Sequence, residues 1–515
     1  MTRPQPTPEE VPMHLIPRPA ALTETAGTWR LTEATGVLAG PGAAGVDDLV
    51  RELLGRPTGY GLRPAAGPGP DTIVLRVDPA LGREAYRLSV DADGVTATGG
   101  DAQGLRHAVQ TLRQMLPAEI FAAEPPPGVA WTVPYAEIED APRFGWRGVL
   151  VDVARHWFPL EFLFRMVDLA ALHKLNVLHL HLTDDQGWRM EIERYPRLTE
   201  VGAWRAESML GHLEDDRYDG VPHGGFYTKR ELRALVAHAE ARGVTIVPEI
   251  DMPGHMTAAI AAYPELGDDP ADPPAVWTRW GINDRVLNVE ETTVAFFQGV
   301  LEEVLEVFPG PWIHLGGDEC PKTEWNASPR ARERMRELDL PDAAALQNWF
   351  MGRMAAFLSE RGRRVIGWDE ILEADLPADA TVMSWRGEEG GVAAAALGHD
   401  AIMCPDTHLY LDFYQADPET EPLAIGGLTT LEKVYGYEPV PAGLPAEAAA
   451  RALGAQGNLW SEYMPDARHV EYMAFPRLCA LAEVTWGTAG EFAEFTGRLD
   501  RHLRRLDHLG VHYHR

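Results

Sequence analysis

Thr228-Lys-Arg-Glu-Leu-Arg-Ala-Leu-Val-Ala-His-Ala-Glu-Ala-Arg-Gly-Val-Thr-Ile-Val-Pro-Glu-Ile250 reads as a helix over 228–242 and a strand over 244–250. Its first half carries apolar residues at helical spacing, and its second is a short apolar run of strand length. The same alternation recurs from about residue 146 onward. Apolar strands are expected at 148–154, 176–183, 244–250, 312–317, 363–368, 381–385, 400–404 and 453–460. Clear helices fall at 159–174, 228–242, 291–308 and 343–361. Alternating strand and helix means parallel pairing through right-handed crossovers. Eight such units predict an α/β fold built on a closed (β/α)₈ TIM barrel. The span is roughly 340 residues against about 250 for a minimal barrel, so several loops must carry insertions. The longest follow the second strand (186–226) and the third (252–285).

Upstream, residues 1–140 read as a small α/β N-terminal domain. Thr72 to Val77 is a β-branched run. The stretch from Tyr86 to Thr98 alternates around an Asp93-Gly94 turn, a hairpin signal. Asp101 is placed to cap a helix running to Leu116. Pro125-Pro-Pro-Gly128 then breaks the chain. The division expected is 1–140, a catalytic barrel over 141–488, and a segment 489–515 whose helix (489–508) packs on the barrel. Gly40-Pro-Gly-Ala-Ala-Gly45 fits a dinucleotide-binding pattern, but it contains Pro41 and no acid follows about 20 residues on. It reads as a glycine-rich turn.

Composition narrows the function classes. The 515 residues are 45% hydrophobic and 24% charged, as in folded globular proteins. No run approaches the 18 or so apolar residues of a membrane span. Lys+Arg is 46 and Asp+Glu is 77, a net charge of −31. Such a surface repels phosphate backbones and anionic lipid, so neither nucleic acid nor a membrane is an expected partner. Cys320, Cys404 and Cys479 form no disulfide framework and no zinc-finger spacing. Met1 to Glu10 lacks the apolar core of a secretory signal, which makes the cytoplasm the expected location.

Barrels of this kind carry their chemistry at the C-terminal ends of the strands. The first expected strand is entered through Arg147 and ends Asp152-Val-Ala-Arg155-His156. The second ends His179-Leu-His181-Leu-Thr-Asp184-Asp185-Gln-Gly-Trp188, and the third Glu249-Ile-Asp251-Met-Pro-Gly-His255. The fourth ends His314-Leu-Gly-Gly-Asp318-Glu319, the fifth Trp368-Asp369-Glu370 and the sixth Trp385. The seventh leads to Tyr410-Leu-Asp412, and the eighth ends Trp460-Ser-Glu462. Acids, histidines and tryptophans at all eight ends are more than capped turns require. The combination suits carbohydrate, whose C–H faces stack on Trp and whose hydroxyls bond to Asp, Glu and Arg. Breaking a glycosidic bond needs a proton donor for the leaving oxygen and a group to stabilise oxocarbenium charge. Asp318 and Glu319 are too close to ionise independently, so one should keep its proton near neutral pH.

His314-x-Gly316-Gly317-Asp318-Glu319 resembles the catalytic signature of glycoside hydrolase family 20, the β-N-acetylhexosaminidases. The resemblance extends through Arg147-Gly, the 179–188 and 248–255 stretches, Gly367-Trp-Asp-Glu, Ser384-Trp, Leu409-Tyr-Leu-Asp and Trp460-Ser-Glu. It covers nearly the whole chain. It implies an exo-acting, retaining hydrolase of terminal GlcNAc or GalNAc with no cofactor and no metal. In that implied mechanism the substrate's own 2-acetamido oxygen is the nucleophile and an oxazolinium-type intermediate forms. Asp318 would hold the acetamide N–H and Tyr410 its oxygen. Glu319 would act as general acid, then base. Trp368, Trp385 and Trp460 would box the methyl group and the sugar face. Arg147, Asp412 and Glu462 would hold ring hydroxyls, and Asp185 and His255 are expected among the substrate-binding residues.

Two other readings of the residues stand beside this one. His179, His181 and Asp184 suit a metal-dependent barrel hydrolase as well as a hydrogen-bonded buttress. A non-catalytic sugar-binding barrel would be expected to lack Asp318 or Glu319, and both are present. Cys320 reads as a packing residue, because neighbouring acids raise a thiol's pKa. Trp188 and Trp204 fit loop packing and subsite walls equally.

Overall fold

A computed structural model describes residues 13–373 and 377–515. The Met1–Glu10 reading lies outside the described residues. The chain divides into two compact units. One is Met1–Arg143 with Trp486–His512, the other Phe144–Thr485 with Tyr513–Arg515.

The first unit is built on a six-stranded sheet. Its strands are β1 (Ala21–Arg30), β2 (Gly36–Ala39), β3 (Thr72–Val77), β4 (Tyr86–Asp91), β5 (Gly94–Gly99) and β6 (Thr132–Asp140), in the order β1-β6-β4-β5-β3-β2. The β4–β5 hairpin turns where Asp91 Oδ1 accepts from the Asp93 N–H at 2.8 Å. Gly94 sits at φ +123°, and a Cβ there would lie 2.5 Å from the Gly69 carbonyl oxygen, so glycine is required. Helix α1 (Ala102–Met115) is capped by Asp101, which accepts from the Gly104 N–H at 2.9 Å. Leu105, Ala108, Val109 and Leu112 form its buried stripe.

The C-terminal helix, Phe492–His508, belongs to this unit and does not form a separate segment on the barrel. Phe495, Leu499 and Leu506 are buried, and two arginines on the same helix are matched to carbonyls of the unit. Arg498 Nη1 donates to Leu15 O at 2.7 Å, and Arg505 donates to His14 O at 2.9 Å and to Gln114 O at 2.7 Å. An amphipathic stripe says that a helix is covered, not by which element.

The second unit is a closed barrel. Its strands are β7 (Trp146–Asp152), β8 (Val177–His181), β9 (Thr245–Glu249), β10 (Trp312–His314), β11 (Arg364–Trp368), β12 (Thr381–Ser384), β13 (Asp400–Met403) and β14 (Ala452–Leu459). All neighbours are parallel, and β14 closes on β7 from Gly454↔Trp146 to Leu459↔Val151. The helix that opens the 228–250 stretch runs Lys229–Arg242. A reciprocal box of Thr228 and Glu231 starts it, and Gly243 at φ +75° ends it. Inside the barrel Leu150, Val177, Val247, Ile366, Met383 and Ile402 are buried to 2% exposure or less. That packed layer is the floor of the site.

The insertion after β8 folds into short hairpins, among them Trp204–Arg205 with His223–Gly224. Arg189 staples it: its guanidinium donates to Ala203 O at 2.7 Å and to Ala154 O at 2.6 Å. Trp188 is buried, its Nε1 donating to Met190 O, whereas Trp204 is 51% exposed. Among the described residues no helix is long and apolar enough to cross a membrane.

Candidate active site

A cavity of about 220 Å³ opens at the C-terminal ends of the strands. Asp318 and Glu319 follow β10, Trp368 ends β11 and Trp385 follows β12. Tyr410 and Asp412 follow β13, and Trp460 and Glu462 follow β14. All eight line it. Arg155, Asp406, Phe413 and Ile425 complete the wall.

The turn carrying the two acids is unusual backbone. Gly316 and Gly317 stand at φ +67° and +98°, and Glu319 at +44°. A Cβ on Gly316 would lie 1.7 Å from Asp251 Oδ1, so no other residue fits. A left-handed glutamate costs on the order of 1 kcal/mol, and such strain gathers where a side chain must be aimed. Asp251 holds the turn by accepting from the Gly317 N–H at 3.1 Å, and Gln347 donates to the Gly317 carbonyl at 2.8 Å.

Behind the acids lies a chain of alternating charge. His255 Nε2 is 3.6 Å from Glu319 Oε2 and 3.9 Å from Asp318 Oδ2. Its Nδ1 is 3.2 Å from Asp184 Oδ1, and Asp184 Oδ2 also pairs with His181 Nε2 at 2.7 Å and Arg155 Nη2 at 3.0 Å. His181 Nδ1 donates in turn to Glu249 Oε2 at 2.6 Å. Burial opposes the charge on Asp184, but Arg155 and His255 hold its carboxyl well below the usual range. Burial likewise opposes charge on His255, yet Asp184 and the acids in front keep it well above the ordinary imidazole value. Glu249 stays ionised against burial because His314, His181 and His179 surround it. Asp318 goes the other way. Burial, then the Asp251 carboxyl, pushes it well above the carboxylate range. The surroundings of Asp318 thus favour holding a proton.

Three tryptophans and a tyrosine frame the rest. Trp385 and Tyr410 lie nearly parallel, ring centroids 6.2 Å apart at 23°. Trp460 is 5.7 Å from Trp368 and 6.3 Å from Tyr410. Hydrogen bonds fix two of the rings: Trp368 Nε1 donates to Glu249 Oε1 at 2.9 Å, and Trp385 Nε1 to Glu370 Oε2 at 3.0 Å. Asp318 Oδ1 and Asp412 Oδ1 are buried without a partner among the described residues. A buried acceptor left unpaired costs about 1–3 kcal/mol, which a polar ligand can relieve.

Three of the expected site residues are not cavity residues. Arg147 lies near the start of β7, about 16 Å of strand before Asp152. It is fully buried and donates to Lys174 O at 2.8 Å and Phe144 O at 2.6 Å. Arg155, three residues past the strand, is the arginine in the wall. It donates to Asp152 Oδ2 at 3.2 Å and stacks 5.2 Å over Trp460. The signal for it was its place after the strand end. Asp185 is wholly buried behind the wall, accepting from the Thr257 N–H and hydroxyl, and burial pushes it up to about 6. His255 touches the acids and not the cavity. The sequence reading also missed Asp406, Phe413 and Ile425. Phe413 adjoins Asp412, but no motif marks Ile425. Burial pushes the Cys320 thiol up to about 12, as suits a packing residue.

The histidine and acid clusters are close enough to hold a metal, His179–Glu249–His314 and His181–Asp184–Asp251 among them. Their atoms instead pair with each other at hydrogen-bond distances, 3.1 Å for His179 Nε2 to Glu249 Oε2 and 3.0 Å for His314 Nδ1 to Glu249 Oε1.

Residues 144–489 match the glycosyl hydrolase family 20 catalytic domain, and residues 12–141 match domain 2 of the same family. The chain belongs to glycosyl hydrolase family 20. A β-hexosaminidase of Porphyromonas gingivalis is 42% identical over 98% of this family 20 chain, which spans 64% of that relative's length. The GH20 β-N-acetylhexosaminidase of Streptomyces coelicolor A3(2) superposes with a TM-score of 0.86 at 34% identity, over 98% of both chains. The GH20 exo-β-N-acetylglucosaminidase of Vibrio harveyi, solved with N-acetylglucosamine, gives 0.87 at 33% identity, over 99% of this chain and 81% of the other.

Proposed function

We propose that this family 20 enzyme is an exo-acting, retaining β-N-acetylhexosaminidase that removes terminal GlcNAc or GalNAc by substrate assistance. The observation that carries the reading is the cavity itself. Asp318, Glu319 and Tyr410 meet there within a cage of Trp368, Trp385 and Trp460. The named relatives, two of them bearing the N-acetyl group in their own substrate names, support the same substrate class.

Chemistry follows from position. Glu319 is the proton donor to the leaving oxygen and then the base for water. Asp318 receives the acetamide N–H, and Tyr410 donates to the acetamide oxygen. The positive charge that develops on the cyclising acetamide favours the ionised form of Asp318, which accepts the acetamide N–H and balances that charge. Arg155, Asp412 and Glu462 bind ring hydroxyls. The tryptophans exclude water and cover the apolar faces.

A panel of aryl β-glycosides with and without the 2-acetamido group tests this. Only the acetamido sugars should be cleaved, and a thiazoline analogue of the cyclised intermediate should inhibit tightly. A fluorosugar ester trapped on Asp318 or Glu319 would make this an ordinary double-displacement enzyme.

A further inference from the structure

The N-terminal unit holds a second cavity, of about 350 Å³, lined by Arg501, Arg504 and Arg505 of the C-terminal helix together with His14 and Gln114. None of the described residues lining it is an Asp or Glu. In a chain of net charge −31, three guanidiniums around one hollow are against the general trend.

Their bonding is informative. Arg505 is 7% exposed and is fixed by carbonyls of His14 and Gln114, with no carboxylate of the described residues paired to it. Burial accordingly pulls it down to about 10, the direction of a cation without a counterion. Arg501 and Arg504 make no hydrogen bond or ion pair with a described residue. Both ring nitrogens of His14 are buried and have no hydrogen-bond partner among the described residues. Burial, then the charges of Arg501, Arg505 and Arg498, keep His14 neutral, so one nitrogen is available as a donor. Forked guanidinium donors match tetrahedral oxyanions bidentately.

We propose that this cavity binds a phosphate-class oxyanion, either free or esterified to a small sugar. Arg501 and Arg504 supply the mobile donors, the clamped Arg505 supplies fixed positive charge, and His14 adds a neutral N–H. The site is separate from the barrel chemistry.

Titration calorimetry of the full chain with inorganic phosphate, against chloride at equal ionic strength, tests it. Saturable binding is expected, weakened about ten-fold or more in Arg501→Gln/Arg504→Gln. Both side chains are exposed, so the double variant should fold, which its melting temperature in chloride verifies. Its hydrolysis of an aryl N-acetylglucosaminide should be unchanged. Glucose 6-phosphate, lacking the acetamide, distinguishes the sources: tighter binding than phosphate assigns the ester, equal binding the free ion. Non-saturable heats, or equal affinity in the folded double variant, would overturn the proposal.

Discussion

His255 presents Nε2 to the Glu319 carboxyl at 3.6 Å, while Asp184 holds its other nitrogen at 3.2 Å. The imidazolium is thereby a fixed positive charge behind Glu319, the proposed proton donor. His255→Asn should lower kcat and leave KM nearly unchanged. In a Glu319→Gln background the same change should have little further effect, because residues acting as a unit are not additive. Additive losses would mean that His255 acts elsewhere.

Glu319→Gln preserves shape and removes proton transfer, a loss of roughly 10²–10⁴-fold. Single-turnover cleavage of aryl substrates with good leaving groups should suffer least, since they need little protonation. Equal losses across a leaving-group series would assign the acid to another residue.

Arg147 and Arg155 separate cleanly. Arg147→Ala removes the donors to two backbone carbonyls in the core, so it should cost about 2–4 kcal/mol of stability with KM little changed. Arg155→Lys keeps the charge facing Asp152 and Asp184 but loses the planar fork, and should raise KM. Urea unfolding and steady-state kinetics on both variants decide it; a KM rise confined to the Arg147 variant would reverse the assignment.

The same pair shows what the sequence made legible. The barrel was readable because eight apolar runs alternate with helices, and the observed strand limits fall within a few residues of the expected ones. The acid pair was readable because Asp318 and Glu319 stand side by side at the end of an apolar strand. Arg147 misled because an arginine in a strand does not announce at which end of the barrel it lies. Depth was equally invisible: Asp185 neighbours Asp184 in sequence, yet neither its carboxyl nor the His255 ring reaches the cavity. The partner of the C-terminal helix was hidden too, since its match to His14, Leu15 and Gln114 spans nearly the whole chain.

Trp460→Ala should weaken binding of N-acetylglucosaminides by about 1–3 kcal/mol through lost stacking and apolar contact. It also frees Arg155 from the ring it covers. Inhibitor affinity is the readout; a variant that unfolds before binding can be measured would make Trp460 a core residue.

Asp251 is fully buried beside Glu249, Asp184, His181 and His255, and burial raises it to about 7. A carboxyl raised on folding stabilises below its unfolded value near 4, and that contribution is lost as pH rises through about 7. Asp251→Asn keeps the acceptor for the Gly317 N–H and cannot ionise. Its stability should therefore fall less between pH 4.5 and 8, by about 2–4 kcal/mol. Parallel urea midpoints for both proteins across that range would show that Asp251 does not titrate there.

The unit that begins first along the chain draws its last helix from beyond the barrel. Its final helix is encoded after Trp486, beyond the whole of the barrel. A ribosome delivering this chain releases residues 144–485 before the stretch that covers Leu15 and Gln114 exists outside the tunnel. The usual order, in which the leading domain folds first during synthesis, is inverted. Until that helix emerges, the leading unit waits with its apolar face open.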